Sequence, residues 1–152
     1  MDDTDRTEYC GVGIRGVAMG IDSVVWVALL FAAILVTAAL TGQLDSGAWS
    51  VSADLTGQPA WTAVGLWFAL ALGYHTVLEW LFGKTVGKYL VSIRVTGSDG
   101  SSPTLGASLL RNLVRLVDWL PGLYVVGIGG IVLSSRQQRL GDRLAGTTVV
   151  RR

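Results

Sequence analysis

From Ser23 to Leu40 the chain carries no charge, and at ~1.5 Å rise per residue this run covers roughly 27 Å, close to the hydrocarbon thickness of a bilayer. The pattern predicts a first hydrophobic helix over about residues 14–41. A second apolar run, about 60–82, is bracketed by Trp61 and Trp80 in the manner of an interfacial aromatic belt. Between the two lies a connection from Thr41 to Pro59, rich in glycine and carrying Asp45 and Asp54 but no Lys or Arg, which reads as a loop.

Further on the periodicity changes. Val91-Ser-Ile-Arg-Val95 alternates like a strand and is followed by the turn set Gly97-Ser-Asp-Gly100. Thr147-Thr-Val-Val150 is the other strand-like run, so the two would pair as a small cytoplasmic β-ribbon. Leu105 to Leu120 reads as an amphipathic helix, with Ser108, Arg111, Arg115 and Asp118 recurring at spacings of three and four on one face. Pro121-Gly122 breaks it. The uncharged stretch from Trp119 to Ser135 is 17 residues, at the lower limit for a span. Basic residues flank region 105–135 on both sides, which favours a helical hairpin turning at Pro121-Gly122 over a single third span. The expected fold is an all-α membrane protein: two full transmembrane helices, a shorter C-terminal helical hairpin and the ribbon. One membrane domain would occupy residues 11–150, preceded by a short polar tail, 1–10.

Composition agrees. Only 15% of the 152 residues are charged and 51% are hydrophobic, against about a quarter charged in a typical soluble domain. Of twelve Lys and Arg residues, none lies between Arg15 and Lys84. By the positive-inside rule this predicts a multi-pass protein of the cell membrane, with both termini and Lys84 to Arg94 cytoplasmic and the 41–59 loop outside. The acidic start is unlike the n-region of a cleaved signal peptide. Cys10 is the single cysteine, which excludes an intrachain disulfide and a cysteine cage for metal.

The candidate chemistry is a set of charges at membrane depth. Arg15 and Asp22 are two helical turns apart and face the same way. A carboxylate there costs several kcal/mol unless paired or wet, and Arg111 and Arg115 are its expected partners because guanidinium binds carboxylate bidentately. A structural ion pair is one reading; a proton- or cation-exchanging carboxylate is the other. His75 and Glu79, at i and i+4, form a second polar site, read as a helix-stabilising pair near the interface rather than half of a metal site, since the chain has one histidine. Gly16 and Gly20 make a GxxxG step that would serve a homo-oligomer. Gly83-Lys-Thr-Val-Gly-Lys88 lacks the phosphate-loop spacing. No triad, paired-carboxylate or zinc pattern is visible. An enzyme, a cofactor and a nucleic-acid partner are therefore not expected. The bilayer is the expected partner, with a cytoplasmic protein docking on segments 84–104 and 136–152.

Three stretches together resemble the RDD family of small membrane proteins, named for one Arg and two Asp. They are Arg15-Gly-Val-Ala-Met-Gly-Ile-Asp22, Gly83-Lys-Thr-Val-Gly-Lys-Tyr-Leu through Gly100, and Arg111-Asn-Leu-Val-Arg-Leu-Val-Asp-Trp-Leu-Pro121 continuing to Gln138-Arg-Leu-Gly-Asp-Arg-Leu-Ala-Gly-Thr147. The resemblance covers nearly the whole chain from residue 11. It gives Arg15 as the family's Arg and Asp22 as its first Asp, and leaves Asp118 and Asp142 both open as the second. Family members often carry Pro just before Gly-Lys, where this chain departs. The resemblance implies a membrane protein of a family suspected of transport and linked in places to sodium/proton exchange.

Overall fold

A computed structural model describes residues 9–47, 49–118 and 138–151; the side chains of 116–118 fall outside it. Its elements, in order, are α1 (Val12–Thr41), β1 (Leu44–Ser46), β2 (Val51–Ala53), α2 (Gln58–Phe82), α3 (Val86–Leu90), β3 (Ile93–Gly97), α4 (Leu105–Asp118), α5 (Leu140–Leu144) and β4 (Thr147–Arg151). The two apolar helices start two residues earlier than the sequence pattern predicts. Both are long and apolar enough to cross a membrane. The expected loop between them contains a short hairpin instead, β1 pairing antiparallel with β2 from Leu44 opposite Ala53 to Ser46 opposite Val51. A strand pair of three residues a side carries too little alternation to stand out in sequence. The turn expected at Pro121-Gly122 and the apolar piece after it lie outside the described residues.

The chain divides into two compact units, Ser23–Gly73 and the remainder. In the Ser23–Gly73 unit the buried positions of α1 and α2 are small, Ala33, Ala38, Ala63 and Ala71, together with Thr37. Trp67 donates its indole N–H to the Trp26 carbonyl at 3.0 Å, and the two rings meet edge to face at 6.1 Å. Large apolar side chains such as Val27, Phe31, Leu40, Trp61 and Phe68 are exposed. Of the most apolar window of each helix, 17% in α1 and 22% in α2 is buried, the reverse of a core helix in water.

The other unit is built on the expected ribbon. β3 and β4 pair antiparallel, Ile93 opposite Arg151 through Gly97 opposite Thr147. Ile93, Val95 and Val149 pack with Cys10 and Ala18 into a small apolar core, flanked by Ile14 and Val91. Gly83 stops α2 in the left-handed region at φ 69°, its N–H still bonded to the Glu79 carbonyl, and its own carbonyl accepts from the Val95 N–H. Thr104 caps α4 at its N-terminus, its hydroxyl accepting the Ala107 N–H at 3.2 Å. α4 is inverted relative to a soluble amphipathic helix: Ser108, Arg111 and Asn112 are buried, whereas Leu105, Leu109, Leu110 and Leu113 are exposed.

Candidate functional site: a buried ion-pair chain

The inward face of α4 meets charged groups from the start of α1, the end of α2, α3 and α5. Five side chains form one continuous chain of ion pairs. Arg15 donates from Nη1 to Asp142 Oδ2 at 2.6 Å, and Arg111 donates from Nη1 to Asp142 Oδ1 at 2.7 Å. Arg111 turns its Nε to Glu79 Oε2 at 3.0 Å, and the Lys88 ammonium closes on Glu79 Oε1. Asn112 adds a 3.1 Å amide bond to Glu79 Oε2. Arg111 is thus the hinge of the set, one planar guanidinium holding two carboxylates, a task its fork of donors suits and an ammonium does not.

Local sequence explains each placement. Asp142 sits in the first turn of α5, where its carboxylate also accepts the Arg139 backbone N–H at 3.1 Å, in the manner of a capping box. Arg15 is fixed by a second bond, from Nε to the Cys10 carbonyl at 2.8 Å. Burial disfavours the charged form of Asp142, but Arg111 and Arg15 outweigh it and hold its carboxyl below the usual range. For Lys88 burial wins over its Glu79 partner and pushes the amine down to about 7.

Asp22 departs from expectation. Its partners are not Arg111 or Arg115 but uncharged donors: Tyr74 Oη at 2.9 Å and the Gly87 N–H at 2.8 Å on Oδ1, and the Thr85 hydroxyl at 2.6 Å on Oδ2. The reason is proximity along the fold. The turn after α2 brings Thr85 and the first turn of α3 against α1, so a hydroxyl and a backbone N–H reach the carboxylate first. Gly87 is required for that approach, because a Cβ there would run into the Ala18 carbonyl oxygen and come within 3.0 Å of Asp22 Cγ.

His75 and Glu79 take further roles beside the helix-stabilising pair expected of them. Glu79, with no exposed surface, is the inner node of the ion-pair chain. His75 has Nδ1 3.3 Å from Arg115 Nη1. The structure therefore unites Arg15, Arg111, Asp142 and Glu79, gives Asp22 its own cradle, and sets Arg115 against His75. The Asp118 side chain lies outside the described residues. Gly16 and Gly20 are exposed, with open space where a Cβ would stand.

Sequence reasoning missed Lys88, Asn112, Tyr74 and Thr85. Asn112 was findable, since it falls on the polar face of α4 with Ser108 and Arg115. Lys88 looked like one of the topology-setting cations after α2, and no local signal marks it as buried.

A cavity of about 30 Å³ opens among Arg15, Asp22, Lys88, Arg111, Arg115 and Asp142. It has room for about two waters.

The RDD family model matches residues 9–146, so the chain belongs to the RDD family, whose members are generally membrane-associated. No curated protein and no solved structure shows significant similarity to the chain.

Proposed function

We propose that this RDD family chain is a multi-pass protein of the cell membrane, with both termini cytoplasmic, that acts as a scaffold or partner subunit held in shape by its buried charges. It is not an enzyme in this reading. The observation that carries it is the saturation of the buried carboxylates: every oxygen of Asp22, Glu79 and Asp142 already accepts a hydrogen bond from the protein. Such a network serves cohesion, because removing one member leaves another buried charge uncompensated. The inverted α4 supports the membrane setting, since leucines outside and arginines inside are stable only where the surroundings are apolar. A cytoplasmic partner would dock on segments 84–104 and 136–152.

One observation favours a second reading, a small cation or proton exchanger using Asp22. That carboxylate borders the cavity and makes no ion pair within 4 Å among the described residues, so it could exchange a proton without breaking one. A conduit would also need polar groups onward, and between Ser23 and Leu40 the first helix offers only Thr37. One variant separates the two. For the scaffold, Asp22→Asn lowers thermal stability and yield, and the wild type shows no proton- or cation-driven flux in proteoliposomes. Wild-type flux that vanishes in a normally stable Asp22→Asn protein would establish the exchanger instead.

A further inference from the structure

The cavity beside Arg15 has a charge excess that the ion-pair chain does not use. Arg15, Lys88, Arg111, Arg115 and Arg139 line it against the carboxylates of Asp22 and Asp142. Counting Glu79, which is bonded to Lys88 and Arg111, three negative groups face five positive ones among the described residues. Loss of the Lys88 proton, which burial favours, still leaves an excess of positive charge.

Two donors on the lining side chains are also unspent. Arg15 is 6% exposed, and its Nη2 is buried without a hydrogen-bond partner; Arg115 Nε is buried and equally unpartnered. Buried guanidinium N–H groups left without acceptors are unusual enough to call for a resident acceptor. The two carboxylates at the cavity do not serve, because neither stands within hydrogen-bond reach of Arg15 Nη2 or Arg115 Nε.

We propose that the cavity binds a single-atom monovalent anion of the halide class, with the free N–H groups of Arg15 and Arg115 as its donors. A halide accepts from several N–H groups at once and brings no proton of its own toward the guanidinium groups, whereas a water must also point two hydrogens somewhere. About 30 Å³, room for about two waters, admits one such ion. A tetrahedral oxyanion brings four oxygens to a site that offers two unspent N–H donors, so a single-atom ion is the better match.

The test uses the full chain, purified in detergent in sodium gluconate, and equilibrium dialysis against radiolabelled chloride. About one chloride per chain should be retained saturably, displaced by bromide and not by sulfate at matched ionic strength. Arg115→Gln should weaken retention by about tenfold or more while the protein still elutes as a folded, monodisperse species. Should that variant fail to fold, the wild type decides: its thermal stability should be higher in sodium chloride than in sodium gluconate at matched ionic strength, and equal stability would overturn the proposal. Absence of chloride retention by the folded wild type would overturn the proposal and leave waters as the occupants. Displacement by sulfate as readily as by bromide, or unchanged retention in a folded Arg115 variant, would overturn it too.

Discussion

Asp142→Asn is the sharpest probe of the ion-pair chain, because one small carboxylate holds two arginines from distant parts of the sequence. The variant keeps the shape of the side chain and removes its charge. Arg15 loses its 2.6 Å ion pair and retains its bond to the Cys10 carbonyl. Arg111 loses a 2.7 Å pair but keeps Glu79 at 3.0 Å. Breaking a buried pair by removing one partner costs about 3–5 kcal/mol. Since Arg111 remains compensated, the loss should stay near the low end, about 3 kcal/mol, rather than double. In a protein of this size that corresponds to a fall in Tm of about 6–12 °C. The measurement is thermal unfolding of the detergent-purified protein, with the exposed loop variant Asp99→Asn as control. A double-mutant cycle with Arg15→Gln should show coupling of about 1 kcal/mol or more. The pH dependence follows with a definite sign. The Asp142 carboxyl is depressed in the folded protein below its ordinary 3.8, so the unfolded chain takes up the proton first on acidification. Its stabilisation is fully present above that value and is lost as pH falls through the folded value beneath it; Asp142→Asn should lack this acid-side loss. A Tm shift no larger than that of Asp99→Asn, together with strict additivity against Arg15→Gln, would refute the account.

Two further expectations follow from particular contacts. Gly87→Ala should reduce folded yield severely, since its Cβ collides with the Ala18 carbonyl and displaces the N–H that holds Asp22, while Gly65→Ala, with open space around the new methyl, should be tolerated; equal yields for both would contradict the close approach. A cysteine at Ser50 in a Cys10→Ser background should react with an impermeant reagent in intact cells, and labelling only after permeabilisation would invert the topology.

The long elements were legible because their signal is local. Eighteen uncharged residues and an aromatic belt specify a long apolar helix whatever else the chain does, and the 3–4 spacing of Ser108, Arg111 and Arg115 fixes a polar face on α4. The β3–β4 ribbon was legible for the same reason, alternation over a few residues beside a turn. Arg15, Arg111 and Asp142 could be named from sequence too, because a charge in an apolar neighbourhood must be paired, whereas Lys88 could not. Which charge meets which could not. Arg15 and Asp142 lie 127 residues apart, and no periodicity reaches that far. Asp22 found hydroxyls and a backbone N–H instead of an arginine because the turn after α2 places Thr85 and Gly87 against it. Lys88 became a buried partner of Glu79 by the same turn, though its sequence context is that of a surface cation. The sequence determined which residues had to avoid the apolar surroundings; the tertiary structure chose their partners, because pairing depends on the few ångströms between side chains that only the packed chain sets.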